Sequence, residues 1–312
     1  MIAQVIAVVG ATATGKSDLA LDLAEALGGE VVNADAMQLY RGMDIGTNKL
    51  PPEQRRGIPH HVLDVLDVTE ESTLADYQVR AEAAIADVLD RGLVPVLAGG
   101  SGLYVRAAMD HLRIPPTDPT VRARLEAEAQ DEEGVAALRD RLRSVDPSAA
   151  EAIEPNNVRR IIRALEVVEI TGRPFSATAP TKRYRRPSLV IGLRDDWDAL
   201  TTRIERRARA MWDDGLLDEV AALDAAGLRD GRTASQAIGY SQALAEIDGR
   251  TTREEAIAQT AQATRRYARR QESWWRPDHR VEWFDAADPG LAEAATARAR
   301  RPTHHHRSEW TP

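Results

Sequence analysis

The chain has 312 residues, 43% of them hydrophobic, with no cysteine and a formal net charge of −8 at pH 7. That length suffices for one large domain or two with a substantial core, and the lack of cysteine excludes disulfides and thiolate metal sites. No stretch reaches the roughly 18 apolar residues a membrane span needs, and an acidic chain without a basic leader is expected to be cytoplasmic and not to coat nucleic acid indiscriminately.

In chain order, Ile2–Val9 reads as a buried strand, followed at once by Gly10, Ala11, Thr12, Ala13, Thr14, Gly15, Lys16 and Ser17. This run matches G-x-x-x-x-G-K-[ST] with a strand before it and a helical pattern from Asp18 after it, the context in which that pattern forms a phosphate cradle. The glycines let backbone N–H groups turn inward, Lys16 adds positive charge, and the Ser17 hydroxyl can hold Mg2+. The ligand is therefore expected to carry a diphosphate or triphosphate. Leu19, Leu23 and Leu27 repeat at helical spacing up to Gly28, Glu30–Ala34 reads as a second strand, and His61–Val65 as a short extended run. Asp35, just past the second strand, sits where open parallel sheets bind ligands. A carboxylate there can hold Mg2+ through water, act as a general base or cap the next helix, and its position alone does not choose. Thr73 opens a helix with Tyr77, Ala81, Ile85 and Val88 on one face. Leu93–Ala98 is a buried strand ending in Gly99, Gly100, Ser101 and Gly102, a second flexible loop carrying a hydroxyl.

From Pro115 the pattern becomes helix after helix, including Asn156–Ile170, before strands resume at Ser188–Leu193 and Val281–Phe284. Alternating strands and helices imply an α/β fold of P-loop NTPase-like type, a mostly parallel sheet flanked by helices and carrying inserted helical material. The expected division is a phosphate-loop core over 1–114, a helical insertion over 115–186, and a core strand and helix over 187–205. A helical substrate-handling segment follows over 206–261, then a core helix and last strand over 262–285 and a loosely ordered tail over 286–312. The tail holds His304, His305 and His306, read as a solvated terminus. Basic residues bunch at 182–186, 203–209 and 265–276, the last interleaved with Tyr267, Trp274 and Trp275. Arginine for phosphates and aromatics for unstacked bases is how single-stranded RNA is commonly held. Arg159 and Arg163 lie one turn apart and can meet phosphates or pair with Glu166 and Glu169.

The succession GATATGKS, NADAMQLYRGMDIGT, IPHHVLDV, AGGSGLY, NNVRRIIRALEV, AIGY and TRRYARRQESWWR resembles the tRNA dimethylallyltransferase family, from about residue 4 to residue 284. The resemblance implies transfer of a dimethylallyl group from dimethylallyl diphosphate to the exocyclic amine of the adenosine 3′ of the anticodon, in tRNAs reading codons that start with U. It implies the diphosphate on Gly10–Ser17, Mg2+ at Ser17, and catalytic roles for Asp35, Lys16 and Ser101. The anticodon stem-loop would be contacted by Asp35, Ala36, Met37, Gln38, Ser101, Arg122, Arg159, Arg160, Ile161, Ile162 and Arg163. Further contacts would come from Gln236, Ala237, Ile238, Gly239, Tyr240 and Ser241, and from Arg269, Arg270, Gln271, Trp274, Trp275 and Arg276. Ser101 stands where the family usually has threonine, Ala36 where serine is common, and Ser241 where a basic residue is usual. A monomer is expected. The competing readings are a P-loop kinase of a small nucleoside or nucleotide, a prenyltransferase acting on AMP, and a non-enzymatic RNA-binding protein switched by nucleotide.

Overall fold

A computed structural model describes residues 4–178 and 182–302. Val5–Gly10 forms β1, buried along its whole length as befits a central parallel strand, and the glycine-rich turn after it opens α1 (Lys16–Leu27). Gly28, at φ 63°, ends α1 in the left-handed conformation and β2 (Gly29–Asn33) starts at once. There follow β3 (His60–His61), α2 (Leu74–Asp90) capped by the Thr73 side chain, β4 (Val94–Ala98) and α3 (Gly102–Met109). Next come α4 (Pro119–Glu128), α5 (Glu132–Val145), α6 (Pro147–Ala152) and α7 (Val158–Thr171). The chain then forms β5 (Ser188–Arg194), α8 (Trp197–Asp213), α9 (Leu216–Ala225), α10 (Tyr240–Ile247), α11 (Arg253–Trp275), β6 (Val281–Asp285) and α12 (Leu291–Ala299).

The six strands make one sheet in the order β3-β2-β4-β1-β5-β6, every pair parallel. Ile6 and Val8 of β1, Leu19 and Leu23 of α1, and Leu189, Ile191 and Leu193 of β5 build its main core with Val31 and Val96. The chain divides into two compact units, residues 1–110 with 183–312, and residues 111–182. The second unit is the helices α4 to α7, whose Leu125, Leu138, Leu142, Ile161, Ile162 and Leu165 form a core of their own. Its helix starts are written in short polar side chains. Asp118, Asp131, Asp146 and Asn157 each accept a backbone N–H of the turn they open, and Pro119 and Pro147 occupy first helical positions. Glu166 is fully buried there and accepts from Arg122 at 2.7 Å, Arg163 at 2.7 Å and the Asp118 amide at 3.0 Å.

Several expectations need correcting. The extended run at 61–65 is a strand only at His60–His61, because Val62 and Asp64 are left-handed (φ 61° and 54°) and the chain turns back to pair with Gln38 and Leu39. The divisions at 205/206 and 261/262 fall inside the continuous helices α8 and α11, which belong to the first unit together with α9 and α10. The segment after 286 is not loose throughout: α12 packs Ala295 and Ala299, both buried, into the main core, small side chains letting the helix approach α1 closely. His304, His305 and His306 lie outside the described residues.

Two buried charge clusters fasten the first unit. Arg280 is bidentate to Asp110 (2.8 and 3.0 Å), also binds Asp278, and stacks on Tyr184 with 4.2 Å from its guanidinium to the ring centroid. Asp110 and Tyr184 form an antiparallel bridge, so this clasp joins the points where the chain leaves the unit and returns to it. At the other edge Glu30, 5% exposed, takes both guanidinium nitrogens of Arg91 (2.5 and 2.6 Å) and His61 Nε2 at 2.6 Å. The Arg91 hydrogen bonds, against the opposing effect of burial, draw its pKa down to about 2. A carboxylate depressed in the folded state contributes stability that is full above its unfolded value near 4.5 and lost as pH falls toward 2. Glu30→Gln should therefore cost about 1.5–3 kcal/mol in urea unfolding at pH 7. The gap to wild type should shrink as unfolding is repeated from pH 5 downward.

Candidate active site

A cavity of about 150 Å3 lies at the carboxyl ends of β1, β2 and β4. Its floor is the phosphate loop. Gly10, at φ 142°, runs so close to β5 that a Cβ would meet the Leu193 carbonyl oxygen at 2.7 Å, and Ala13 and Gly15 take left-handed φ values of 65° and 83°. The buried Thr14 donates its hydroxyl to Ala11 O at 2.8 Å and Lys16 Nζ reaches the same carbonyl at 2.6 Å, so the curl is held from inside. From outside, Arg203 of α8 donates Nε to Ala13 O at 2.9 Å while pairing with Asp195. Thr12, Ala13, Gly15, Lys16 and Ser17 face the cavity; Gly10, Ala11 and Thr14 support it from beneath.

Asp35 enters from the end of β2. Asn33 fixes that turn, its Oδ1 accepting the Asp35 amide at 2.9 Å and its Nδ2 donating to Asp35 O at 2.9 Å and Val62 O at 3.0 Å, while Tyr77 donates its hydroxyl to Asn33 O. The Asp35 carboxylate accepts the Met37 amide at 2.9 Å, one residue ahead of the N-cap position of the short turn Met37–Leu39, which Ala36 holds. That local bond and a place in the cavity wall coexist. Burial raises the pKa of Asp35 against the pull of the Met37 amide and of Lys16, and burial lowers Lys16 to about 8, with Asp35 opposing and Arg207 assisting. The two opposite charges line the same cavity. Arg207 of α8 adds a second cation there, makes no hydrogen bond among the described residues, and is lowered by burial and by Arg203.

The far wall is α11. A Cβ on Gly100 would lie 1.9 Å from Gln271 Nε2 and one on Gly102 would lie 1.8 Å from the Trp274 ring, so the glycine loop after β4 exists in this form because α11 is seated on it. Gln271, 5% exposed, also accepts the Thr12 amide at 2.8 Å. Ser101 stands at the N-cap of α3 without a side-chain capping bond; it is half-buried beside, not in, the cavity wall. A third loop, 41–50, supplies Thr47 and Asn48. Glu219 of α9 accepts the amides of Asp44, Ile45 and Gly46 at 3.2, 2.8 and 3.4 Å together with the Tyr240 hydroxyl at 2.6 Å. The Tyr240 ring covers Gly46, where a Cβ would be 2.4 Å away.

The cavity therefore gathers Thr12, Ala13, Gly15, Lys16, Ser17, Asp35, Gln38 and Gln271 from the expected set. Ala36 and Met37 lie half-buried beside it. Sequence reasoning missed Asn33, Thr47, Asn48, His60, Arg207 and Tyr267 as wall residues. Arg207 and Tyr267 belonged to the noted basic clusters, Asn33, Thr47 and His60 lay in the blocks that carry the resemblance without a role being assigned to them, and Asn48 gave no signal. In the second unit Arg159 and Arg160 are exposed, whereas Arg163 is tied to Glu166 and to the carbonyls of Pro115 and Pro116, and Arg122 to Glu166. The side chains of Ile161 and Ile162 are core, as are Tyr240, Ala237 and Trp275, the last 1% exposed; burial takes these side chains out of any direct contact with RNA. Gly239 is buried too, Gln236 is exposed, and Ile238 and Ser241 are half-buried. Trp274 is 40% exposed beneath Arg106, and Arg269 and Arg270 lie exposed over Trp197 and Tyr267. Arg276 pairs with Glu272 at 3.0 Å. No group of three or more metal-ligating side chains occurs among the described residues.

Residues 38–278 match the family model described as IPP transferase. The chain is 57% identical over 301 residues to the tRNA dimethylallyltransferase of Thermobifida fusca (strain YX), covering 95% of this chain and 94% of that one. It is similar to the crystal structure of a full-length tRNA isopentenylpyrophosphate transferase from Bacillus halodurans, with a TM-score of 0.68 and 40% identity over 95% of this chain and 96% of that one. A eukaryotic dimethylallyltransferase acting on tRNA superposes with a TM-score of 0.83 and 28% identity over 98% of this chain and 82% of that one.

The anchoring of the 41–50 loop has a local readout. In Glu219→Ala three amides lose their acceptor, so hydrogen exchange at Asp44, Ile45 and Gly46 should accelerate by at least about tenfold, one lost charge-assisted bond, while the β1 amides stay protected.

Proposed function

This chain belongs to the IPP transferase family, the tRNA dimethylallyltransferases, and on that premise we propose how its cavity carries out the reaction. The enzyme is a prenyltransferase that modifies tRNA, and its fold is of the P-loop NTPase-like type. The donor in this reading is dimethylallyl diphosphate, and the acceptor is the exocyclic amine of the adenosine 3′ of the anticodon in tRNAs reading codons that start with U. No helix among the described residues is long and apolar enough to cross a membrane. A cytoplasmic monomer belongs to the same proposal.

The observation that carries it is that Asp35 and Lys16 line one cavity floored by the phosphate loop and feel each other's charge. The amine nitrogen attacks the allylic carbon, the carbon–oxygen bond breaks, its electron pair leaves on the diphosphate, and the amine proton passes to the Asp35 carboxylate. Loop amides, Lys16 and Arg207 meet the charge that grows on the leaving group, in a site where they need not reorganise. Burial raises Asp35, which brings its basicity nearer to neutrality, and the Met37 amide fixes its orientation. An adenine amine is a weak nucleophile because its lone pair is shared with the ring, so an aligned carboxylate matters.

Ser17 lines the cavity with a hydroxyl that makes no hydrogen bond among the described residues, and no carboxylate cluster competes for a cation. Those features fit Mg2+ held by Ser17 and the diphosphate oxygens, where the ion would neutralise leaving-group charge. For the tRNA, the adenosine must leave the anticodon-loop stack at a cost of a few kcal/mol, which contacts to the exposed Trp274, Arg269 and Arg270 would offset.

With Mg2+, dimethylallyl diphosphate and unmodified tRNA, and without ATP, the protein should add one five-carbon group per tRNA by mass spectrometry and release diphosphate. Asp35→Asn should lower turnover by about 10²–10⁴ while donor and tRNA affinities change only a few fold. Unimpaired turnover would remove Asp35 from the chemistry. In the second unit, Arg159 and Arg160 rather than Arg163 are free to meet phosphates. Replacing both by alanine should flatten the salt dependence of tRNA binding by the equivalent of up to about two phosphate contacts, whereas an unchanged slope would leave them as solvated surface.

A further inference from the structure

We propose that Gln271 stoppers the strand end of the phosphate cradle and so limits it to two phosphates. The inference rests on the reading of this loop as the diphosphate site and adds to it a selection against triphosphates. A nest of this kind binds anions through successive N–H groups, and its capacity is set by how many of them are free. At the helix end Gly15, Lys16 and Ser17 line the cavity. At the strand end the Thr12 amide is already spent on Gln271 Oε1 at 2.8 Å.

That stopper is built in. Gln271 is 5% exposed and comes from α11, 259 residues along the chain from Thr12. Gly100 lacks the Cβ that would collide with Gln271 Nε2, and Tyr267, one turn earlier on α11, shares the cavity wall with Gln271. A third phosphate at that end would have to displace a neutral carbonyl from its amide and strand the Gln271 oxygen in a buried position. Lys16 and Arg207 would otherwise favour whichever ligand carries more negative charge, so discrimination against the more highly charged ligand needs such a steric and hydrogen-bonding block.

The test uses the full chain with Mg2+ and titrates inorganic diphosphate and inorganic triphosphate separately by calorimetry, in the wild type and in Gln271→Ala. Wild type should prefer diphosphate. The variant should keep diphosphate affinity within about threefold and bind triphosphate tighter by about tenfold or more, the effect of freeing one N–H to a charged acceptor. Gln271→Glu, which keeps an oxygen facing Thr12, should retain the preference and serves if the alanine variant does not fold. A Gln271→Glu protein that prefers triphosphate would overturn the proposal, as would an unchanged ratio of the two affinities in Gln271→Ala. A purely structural glutamine would lower both affinities together and leave their ratio alone. Failure of the wild type to bind diphosphate at all would overturn the reading of the cradle itself, a result distinct from a cradle that binds both ligands equally.

Discussion

Every strand of the sheet points the same way, and that single constraint decides where chemistry can occur. With six parallel strands, each chain segment leaving a carboxyl end does so at one edge, so the phosphate loop after β1, the Asn33–Gln38 turn after β2 and the glycine loop after β4 converge there without any of them being adjacent in sequence. Backbone polarity is satisfied inside the sheet by the ladder and at this edge by deliberate side chains: Asn33 for the turn at Asp35, Thr14 and Lys16 for Ala11, Arg203 for Ala13. Burial within this framework moves the charged groups it holds, Asp35 upward and Lys16 down to about 8.

The edge is closed by α11, which binds two loops at once. Its Gln271 and Trp274 fill the volume left by Gly100 and Gly102, and its Tyr267 and Arg270 stack at the cavity rim. Long helices are usually stabilised by one apolar stripe, yet the buried face of α11 mixes alanine with Thr260, Gln271 and Trp275. Of its polar members Gln271 reaches the cavity, while Thr260 meets Gln242 of α10. On the opposite side Glu219 gathers three loop amides and one phenol, so α9 and α10 hold the 41–50 loop in place although they contribute no residue to the wall.

Legibility in the sequence followed the range of each interaction. Elements set by neighbouring residues could be read directly: the phosphate loop between strand and helix, the Thr73 start of α2, the Gly28 stop of α1 and the buried β4 run are all local patterns. The truncation of β3 could not be read, because it depends on Lys49, a buried lysine drawing in Asp64 at 2.6 Å and Asp44 at 2.5 Å. Nor could the burial of Tyr240 and Trp275, whereas Ile161 and Ile162 occupy apolar positions of the 156–170 helical pattern and pack into the core of their own unit. Family resemblance marked the stretches around these residues, but a stretch contains both faces of a helix, and packing separates Arg159 from Ile162. Similarly, α12 is an alanine-rich helix with a weak apolar pattern, made visible by its seat against α1.

The Arg280 clasp also orders events during synthesis. Asp110 and Arg280 are 170 positions apart, so the carboxylate at the exit point of the first unit has no partner until almost the entire chain has left the ribosome. The helices of residues 111–182, with a hydrophobic core of their own, emerge long before that arginine. Until then the two ends of the insertion are joined by the Asp110–Tyr184 bridge, by the bonds of Arg185 to Met109 O and Asp110 O, and by the pairing of β5 with β1, while the Asp110 carboxylate waits for its guanidinium. A chain stopped short of residue 280 would bring Asp110 toward Tyr184 without the bidentate guanidinium that pairs its carboxylate, so truncation near the carboxyl terminus is felt at a position encoded in the first half of the gene.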